Sequence, residues 1–348
     1  MARAVSLART PDVRTHPNPQ VGAVLLDATG AEIGSGFHRG VDHSHAEIEA
    51  LAQAGHLARG ATAVVTLEPC NHTGRTGPCS EALINAGVVR AVYGQPDPNP
   101  LARGGADALA AAGIDVEGGV LAEEARSLNP VWSFAMERQR PLVTWKFAAT
   151  LDGRVAAADK TSRWISSAES RAEVHRIRAE VDAVVIGTGT VLADDPHLTV
   201  RDERGVLLSR QPLRVVVGER RLPTAARVLD SAAPTLVAET RDVSVVLDTL
   251  FARDVHHVLL EGGPTLAAAF LRADLTDRVI GYVGPRLLGS GPALVGALDV
   301  DTISDAVELT IDDVCLVGGD IRWTARLHGS APLFINPDPA TTDTERAD

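Results

Sequence analysis

Short β-branched runs bounded by turn residues alternate along this chain with stretches whose apolar positions recur every three or four residues. In the first half, Val21 to Leu26 and the run ending at Phe37 flank the turn Asp27-Ala28-Thr29-Gly30 and predict a hairpin. Thr62 to Leu67, Val88 to Tyr93 and Ile114 to Val116 predict further strands. Helices are predicted over 2–9, Ala46 to Ala54 (stopped by Gly55), Cys79 to Ala86, 104–112 and Leu121 to Arg138. Pro78 suits the first turn of the Cys79 helix and Gly87 its end. Thr15-His16-Pro17-Asn18-Pro19 reads as extended, because a residue before proline is pushed out of the helical region. This alternation predicts an α/β layer fold.

Arg138-Gln139-Arg140-Pro141 breaks the pattern and sets a domain boundary, with one domain over 1–140 and a second over 141–328. The second half repeats the alternation without repeating the sequence. Strands are predicted at Leu142 to Ala149, Asp182 to Gly187, Leu213 to Val217, Thr235 to Ala238, Val255 to Leu260, Arg278 to Val283 and Asp320 to Arg326. Helices are predicted at Ser167 to Glu180 and from Pro264 through Ala273. Residues 329–348, rich in Pro, Thr and Asp, read as a disordered tail that cannot bury a core.

Length agrees with two domains, since 348 residues exceed what one core usually serves. No apolar run approaches the roughly 20 residues of a membrane span, and the N-terminus does not read as a secretory signal. A net charge of −12 argues against a nucleic-acid surface and for a small-molecule partner. The three cysteines, Cys70, Cys79 and Cys315, suit a reducing, cytoplasmic compartment. Cys315, in Val314-Cys315-Leu316-Val317, reads as a small hydrophobe on a core strand.

Candidate chemistry concentrates between His45 and Cys79. One imidazole, two thiols and a carboxylate, Glu47, lie within that stretch. Zinc takes His nitrogen and Cys thiolate, and a catalytic site leaves its fourth position open for water. His-x-Glu followed by paired cysteines is the signature of zinc deaminases, in which the Glu is not a ligand but carries the proton. A disulfide between Cys70 and Cys79, or a structural zinc closed by His43 or His72 with Glu47 on the solvent face, are the alternatives on these residues alone. In the second half, Glu261-Gly262-Gly263-Pro264-Thr265 runs from a strand into a helix, where backbone N–H groups can hold a phosphate. Gly187-Thr188-Gly189-Thr190 follows a strand but lacks the third glycine of the dinucleotide fingerprint, so a tight turn fits it equally well.

The order of motifs resembles one family. Pro17 to Ala23, His38, His45-Ala46-Glu47 and the loop from Glu68-Pro69-Cys70 through His72, Gly74, Arg75 and Thr76 to Pro78-Cys79 resemble the deaminase half of the bifunctional riboflavin-biosynthesis deaminase/reductase, the RibD/RibG family. Lys146 to Arg154, Ser162 to Ser166, Gly189 to Arg201 and the Glu261 turn resemble its reductase half. The resemblance covers about residues 2–328. It implies a cytidine-deaminase-like three-layer domain followed by a dihydrofolate-reductase-like domain that uses NADPH.

Carried over, the resemblance makes His45, Cys70 and Cys79 zinc ligands and Glu47 the acid/base. Asn18, His38, His72 and Arg75 would contact a phosphorylated pyrimidine. In the second domain Ala148, Trp164, Thr190, Asp194, Gly263, Pro264 and Thr265 would contact NADPH. Ser162, Arg178, Leu198, Arg201 and Glu261 would contact substrate, with the arginines at its phosphate and Lys146 assisting the opened sugar. Two residues depart from the family pattern, Ser44 in place of a proline and Asp42 in place of a glycine. The implied reactions are hydrolytic loss of the 2-amino group of 2,5-diamino-6-ribosylamino-4(3H)-pyrimidinone 5′-phosphate, then reduction of the ribosyl side chain to the ribitylamino product. Dimers are typical of the family. The alternative is a deaminase joined to a degenerate, non-catalytic reductase-like domain.

Overall fold

The computed structural model describes residues 1–10, 15–73, 77–202 and 204–327. The chain divides into two compact units that part between Gln139 and Arg140. In the first unit α1 (Ala2–Ala8) precedes β1 (Gly22–Leu26), β2 (Glu32–Phe37), α2 (Ala46–Ala54), β3 (Thr62–Leu67), α3 (Cys79–Ala86), β4 (Arg90–Gln95), α4 (Gly105–Ala111), β5 (Asp115–Gly118), α5 (Ala122–Arg126) and α6 (Pro130–Arg138). The strands form one sheet in the order β2-β1-β3-β4-β5, with β1 antiparallel to both neighbours and β3, β4 and β5 mutually parallel.

Small residues decide where α2 lies. Ala46, Ala50 and Ala54 share one buried face of this helix. That face meets β2 at glycine: a Cβ on Gly36 would stand 2.5 Å from the Ala46 carbonyl oxygen. The helix therefore lies almost on the sheet backbone, and its N-terminus carries His45 and Glu47 down with it.

The second unit runs β6 (Leu142–Thr150), α7 (Ala168–Glu180), β7 (Ala183–Gly187), α8 (Thr188–Asp194), β8 (Leu213–Val217), β9 (Thr235–Ala238), α9 (Val243–Phe251), β10 (His257–Leu260), α10 (Pro264–Arg272), β11 (Arg278–Gly284), β12 (Leu309–Val317) and β13 (Asp320–Leu327). Its sheet has the order β12-β13-β11-β6-β10-β7-β8-β9. The run from β11 to β9 is parallel, and β13 and β12 close one edge antiparallel. Alternate residues supply two cores. Val143, Trp145, Val185, Val258 and Leu260 pack with α9 and α10, while Val184, Ile186, Val216, Leu259 and Tyr282 pack with α7. Burial on both faces is why these strands read as continuous apolar runs.

Several expectations need correction. Thr15 to Pro19 is a turn rather than an extended segment: the Asn18 N–H donates to the Thr15 carbonyl across a cis His16–Pro17 bond. The single helix expected over Leu121 to Arg138 is two, because Pro130 cannot continue a helix and Asn129 (φ −135°, ψ 49°) leaves it. The Gly187 turn leads straight into α8. Helix α9 was not anticipated, since Val-Ser-Val-Val favours a strand by composition. Its signal was the buried spacing Val243, Val246, Leu247, Leu250, with Asp242 accepting from the N–H groups of Ser244 and Val245. Cys315 is half-buried on an edge strand, not in a core, and most of β12 is exposed.

Candidate active sites in the two units

His45 is the N-cap of α2, Cys79 opens α3, and Cys70 follows the end of β3. Their Nδ1 and Sγ atoms all lie within 4.8 Å of one another. His45 Nδ1 is 3.6 Å from Cys70 Sγ and 3.3 Å from Cys79 Sγ, and the Cys79 backbone N–H donates to Cys70 Sγ at 3.5 Å. Neither His43 nor His72 belongs to this group among the described residues. Hydrogen bonds from Cys79 and His45 hold the Cys70 thiol well below the usual range, and the resulting thiolate keeps the second proton on Cys79. A thiol pair that readily gives up one proton beside an imidazole fits a borderline-soft divalent cation with a fourth position open.

Glu47 faces inward. It is 5% exposed, and burial followed by the Cys70 charge pushes its carboxyl up to about 7. The solvent-facing arrangement that a closed structural site would allow is absent. His38 is also buried, with its ring edge-on to His45 at 5.4 Å. It contacts the Ser44 carbonyl through Nδ1 (3.1 Å) and the Asn18 side chain through Nε2 (3.0 Å), so Asn18 and His38 reach the cluster together. The Ser44 contact uses backbone, which makes the side chain at 44 immaterial to it. His72 Nδ1 is buried with no partner among the described residues. Arg75 lies outside the described residues.

Glu68 was missed as a site-building residue. Its buried carboxylate accepts from the N–H groups of Asp97, Gly104 and Ala106. It thereby ties the loop that carries Cys70 to α4. A Cβ on Gly105 would stand 1.7 Å from the Pro69 carbonyl oxygen, so only glycine fits there.

In the second unit Glu261 stands just beyond β10. Arg178 of α7 forks its carboxylate, Nε at 2.5 Å and Nη2 at 2.9 Å, and Lys146 Nζ of β6 approaches to 3.6 Å. Burial would raise Glu261, but the two cations more than offset it and hold the carboxyl at about 2. Burial lowers the Lys146 ammonium, and Glu261 restores only part of that. His175, one turn before Arg178, was overlooked; its Nδ1 is buried without a partner among the described residues, and burial and Arg178 lower its basicity. Its i, i+3 spacing from Arg178 was the available signal.

The remaining expected residues scatter more widely. Gly263 caps α10, with Pro264 and Thr265 in its first turn, and a Cβ there would lie 3.8 Å from Thr190 Oγ1. Trp164 is 60% exposed under the Arg171 guanidinium, 4.2 Å from its ring centre. The Asp194 carbonyl, at the end of α8, accepts from Arg163, and Ser162 lies in the loop between β6 and α7. Ala148 is half-buried against the core beneath α7. The Leu198 side chain is within that core, leaving its left-handed backbone (φ 55°) for any contact. Arg201 donates to the Gly205 carbonyl at 2.8 Å.

Residues 1–95 match the cytidine and deoxycytidylate deaminase zinc-binding region, and residues 141–322 match the RibD C-terminal domain. Riboflavin biosynthesis protein RibD of Mycobacterium tuberculosis is 49% identical over 309 residues, covering 88% of this chain and 90% of that protein. The chain belongs to the RibD family. RibD of Escherichia coli is 39% identical, with 92% of this chain and 96% of that protein covered. A solved RibD structure from Acinetobacter baumannii superposes with a TM-score of 0.80 at 38% identity, covering 94% of this chain and 97% of that one. The deaminase/reductase structure from Thermotoga maritima gives 0.76 at 33%, with the same coverage. As a RibD protein the chain joins a zinc-binding deaminase region to a reductase domain, the two halves of a bifunctional riboflavin-biosynthesis enzyme. No helix among the described residues is long and apolar enough to cross a membrane.

Proposed function

We propose that the first unit removes the 2-amino group of 2,5-diamino-6-ribosylamino-4(3H)-pyrimidinone 5′-phosphate and that the second reduces the ribosyl side chain of the product with NADPH. The observation that carries the first step is the buried Glu47 carboxyl beside the His45, Cys70 and Cys79 cluster. These three residues would hold zinc, which when bound activates a water at neutral pH. Glu47 takes a proton from that water and delivers it to the departing amine; its enclosure keeps the proton from bulk solvent. Asn18 and His38 are linked to each other and orient the pyrimidine beside the cluster. His72 Nδ1, buried with no partner among the described residues, is a further contact for the substrate.

For the second step, Glu261 pins Arg178 and Lys146 in a buried, net cationic group suited to a phosphorylated open sugar. Gly263 and Thr265 offer backbone N–H groups at the α10 start to the cofactor's phosphates, and Pro264 between them has none to give. NADPH when bound supplies the hydride, and positioning does most of the remaining work. A second copy of the chain is proposed as the partner of the edge strand β12, on which Ile311, Val314 and Leu316 are exposed.

A staged assay tests this reading. Ammonia release requires zinc and is lost in Glu47→Ala, while that variant still consumes NADPH on the deaminated intermediate. Normal deamination by Glu47→Ala overturns the first assignment. Failure of the wild-type chain to oxidise NADPH with the deaminated intermediate overturns the second and favours a degenerate reductase domain.

A further inference from the structure

The turns after three neighbouring parallel strands line up along one edge of the second sheet. β10 ends at Leu260 before Glu261, β7 at Gly187 before Thr188, and β8 at Val217 before Gly218. In open α/β sheets ligands lie outside the carboxyl ends of such strands. Lys146 and Glu261 gather the substrate-facing groups at β6 and β10. A dinucleotide whose pyrophosphate meets the start of α10 and whose reactive ring points to that cluster must run its other end across β7 toward β8. Two strand spacings, about 10 Å, separate β10 from β8.

Arg220 stands at that far end. Its Nε donates to Thr188 Oγ1 at 3.4 Å, so the side chain folds back from the β8 turn over the β7 turn. Gly189 makes room for it: a Cβ there would be 2.6 Å from Arg220 Nη2. Thr190, the next residue, lies beside Gly263 at the α10 cap. The order across the edge is thus Gly263, Thr190, Gly189, Arg220. The preceding residue, Glu219, sits where dinucleotide folds often place an acid for the ribose hydroxyls. Its carboxylate is instead paired with Arg241 at 2.9 Å.

We infer that Arg220 reads the 2′-phosphate that distinguishes NADPH from NADH, with Gly189 holding the guanidinium in place and Arg241 neutralising Glu219. An arginine fork matches a phosphate that an acid at the same turn would repel. The inference rests on the reading of the second unit as NADPH-dependent.

Calorimetric titration of the zinc-loaded full chain with 2′,5′-ADP and with 5′-AMP tests it without turnover. The wild type binds 2′,5′-ADP at least about tenfold more tightly. In Arg220→Gln, binding of 2′,5′-ADP weakens roughly 10- to 100-fold while 5′-AMP changes less than about twofold. Arg220→Lys retains part of the preference, and Gly189→Ala loses part of it by displacing the guanidinium. If Arg220→Gln discriminates as the wild type does, or loses both ligands equally, the assignment of Arg220 is wrong while the NADPH reading stands. If the wild type shows no preference between the two ligands, the NADPH reading itself fails.

Discussion

The Glu47 carboxyl is two residues from His45 and is raised to about 7 because burial and the Cys70 charge both disfavour its ionised form. Glu47→Gln keeps the shape and removes the carboxyl that can take up and release a proton. Deamination is expected to fall by about 10²- to 10⁴-fold, with zinc stoichiometry by atomic absorption unchanged and the reductase step intact. A different buried group sets an acid limit on stability. Burial lowers the His257 imidazole to about 4, where it contacts Thr144 Oγ1 at 2.9 Å. The unfolded chain takes up this proton near pH 6.5, whereas the folded chain resists until about 4. Folding is therefore favoured above pH 6.5, and the advantage drains away as pH falls through that window. Its full size is about 3 kcal/mol. Urea unfolding of His257→Gln is expected to show a weaker decline between pH 7 and pH 4 than the wild type. At this scale much was legible: His45, Cys70, Cys79 and Glu47 announce themselves by chemistry and spacing. Glu68 does not, because what matters is the set of N–H groups from Asp97, Gly104 and Ala106 that folding gathers around it.

Elements were legible where burial imposed a period and illegible where a single residue overrode it. Most strands of both sheets follow from short apolar runs set between turn residues, whereas the break at Asn129-Pro130 and the turn at Thr15 to Asn18 each hinge on one proline. Helix α9 was hidden because its β-branched composition and its helical spacing disagree, and packing against the sheet decided for the spacing. The seam between α2 and β2 is equally local. Gly36→Val places a side chain where the Ala46 carbonyl already lies. The helix must lift, costing about 1–3 kcal/mol in stability. Since α2 carries His45 and Glu47, zinc content and deamination should fall together, while NADPH oxidation on the intermediate is kept. Zinc content equal to the wild type's would show that the seam does not position the site.

For the whole molecule, the two chemistries reside on two sheets that share no strand. Removing zinc with a chelator is expected to abolish ammonia release and leave reduction of the deaminated intermediate at its original rate; restoring zinc restores the first step alone. The edge of the larger sheet bears on assembly. Leu316 is 75% exposed and Ile311 61%, on a strand whose outer ladder faces no strand among the described residues. Leu316→Lys is expected to shift the mass by light scattering from that of two chains to that of one. A wild-type chain that is monomeric at micromolar concentration removes the case for pairing through β12.

The anchoring of the Cys70 loop by Glu68 has a further consequence. Three N–H groups clamp that carboxylate, and two of them belong to the start of α4. Many small metal domains must be loaded in order to fold. Here the loop that carries Cys70 is moored by protein groups alone. Scarcity of zinc would then silence the first step and spare that mooring, so a resupplied chain resumes deamination with no need for new synthesis.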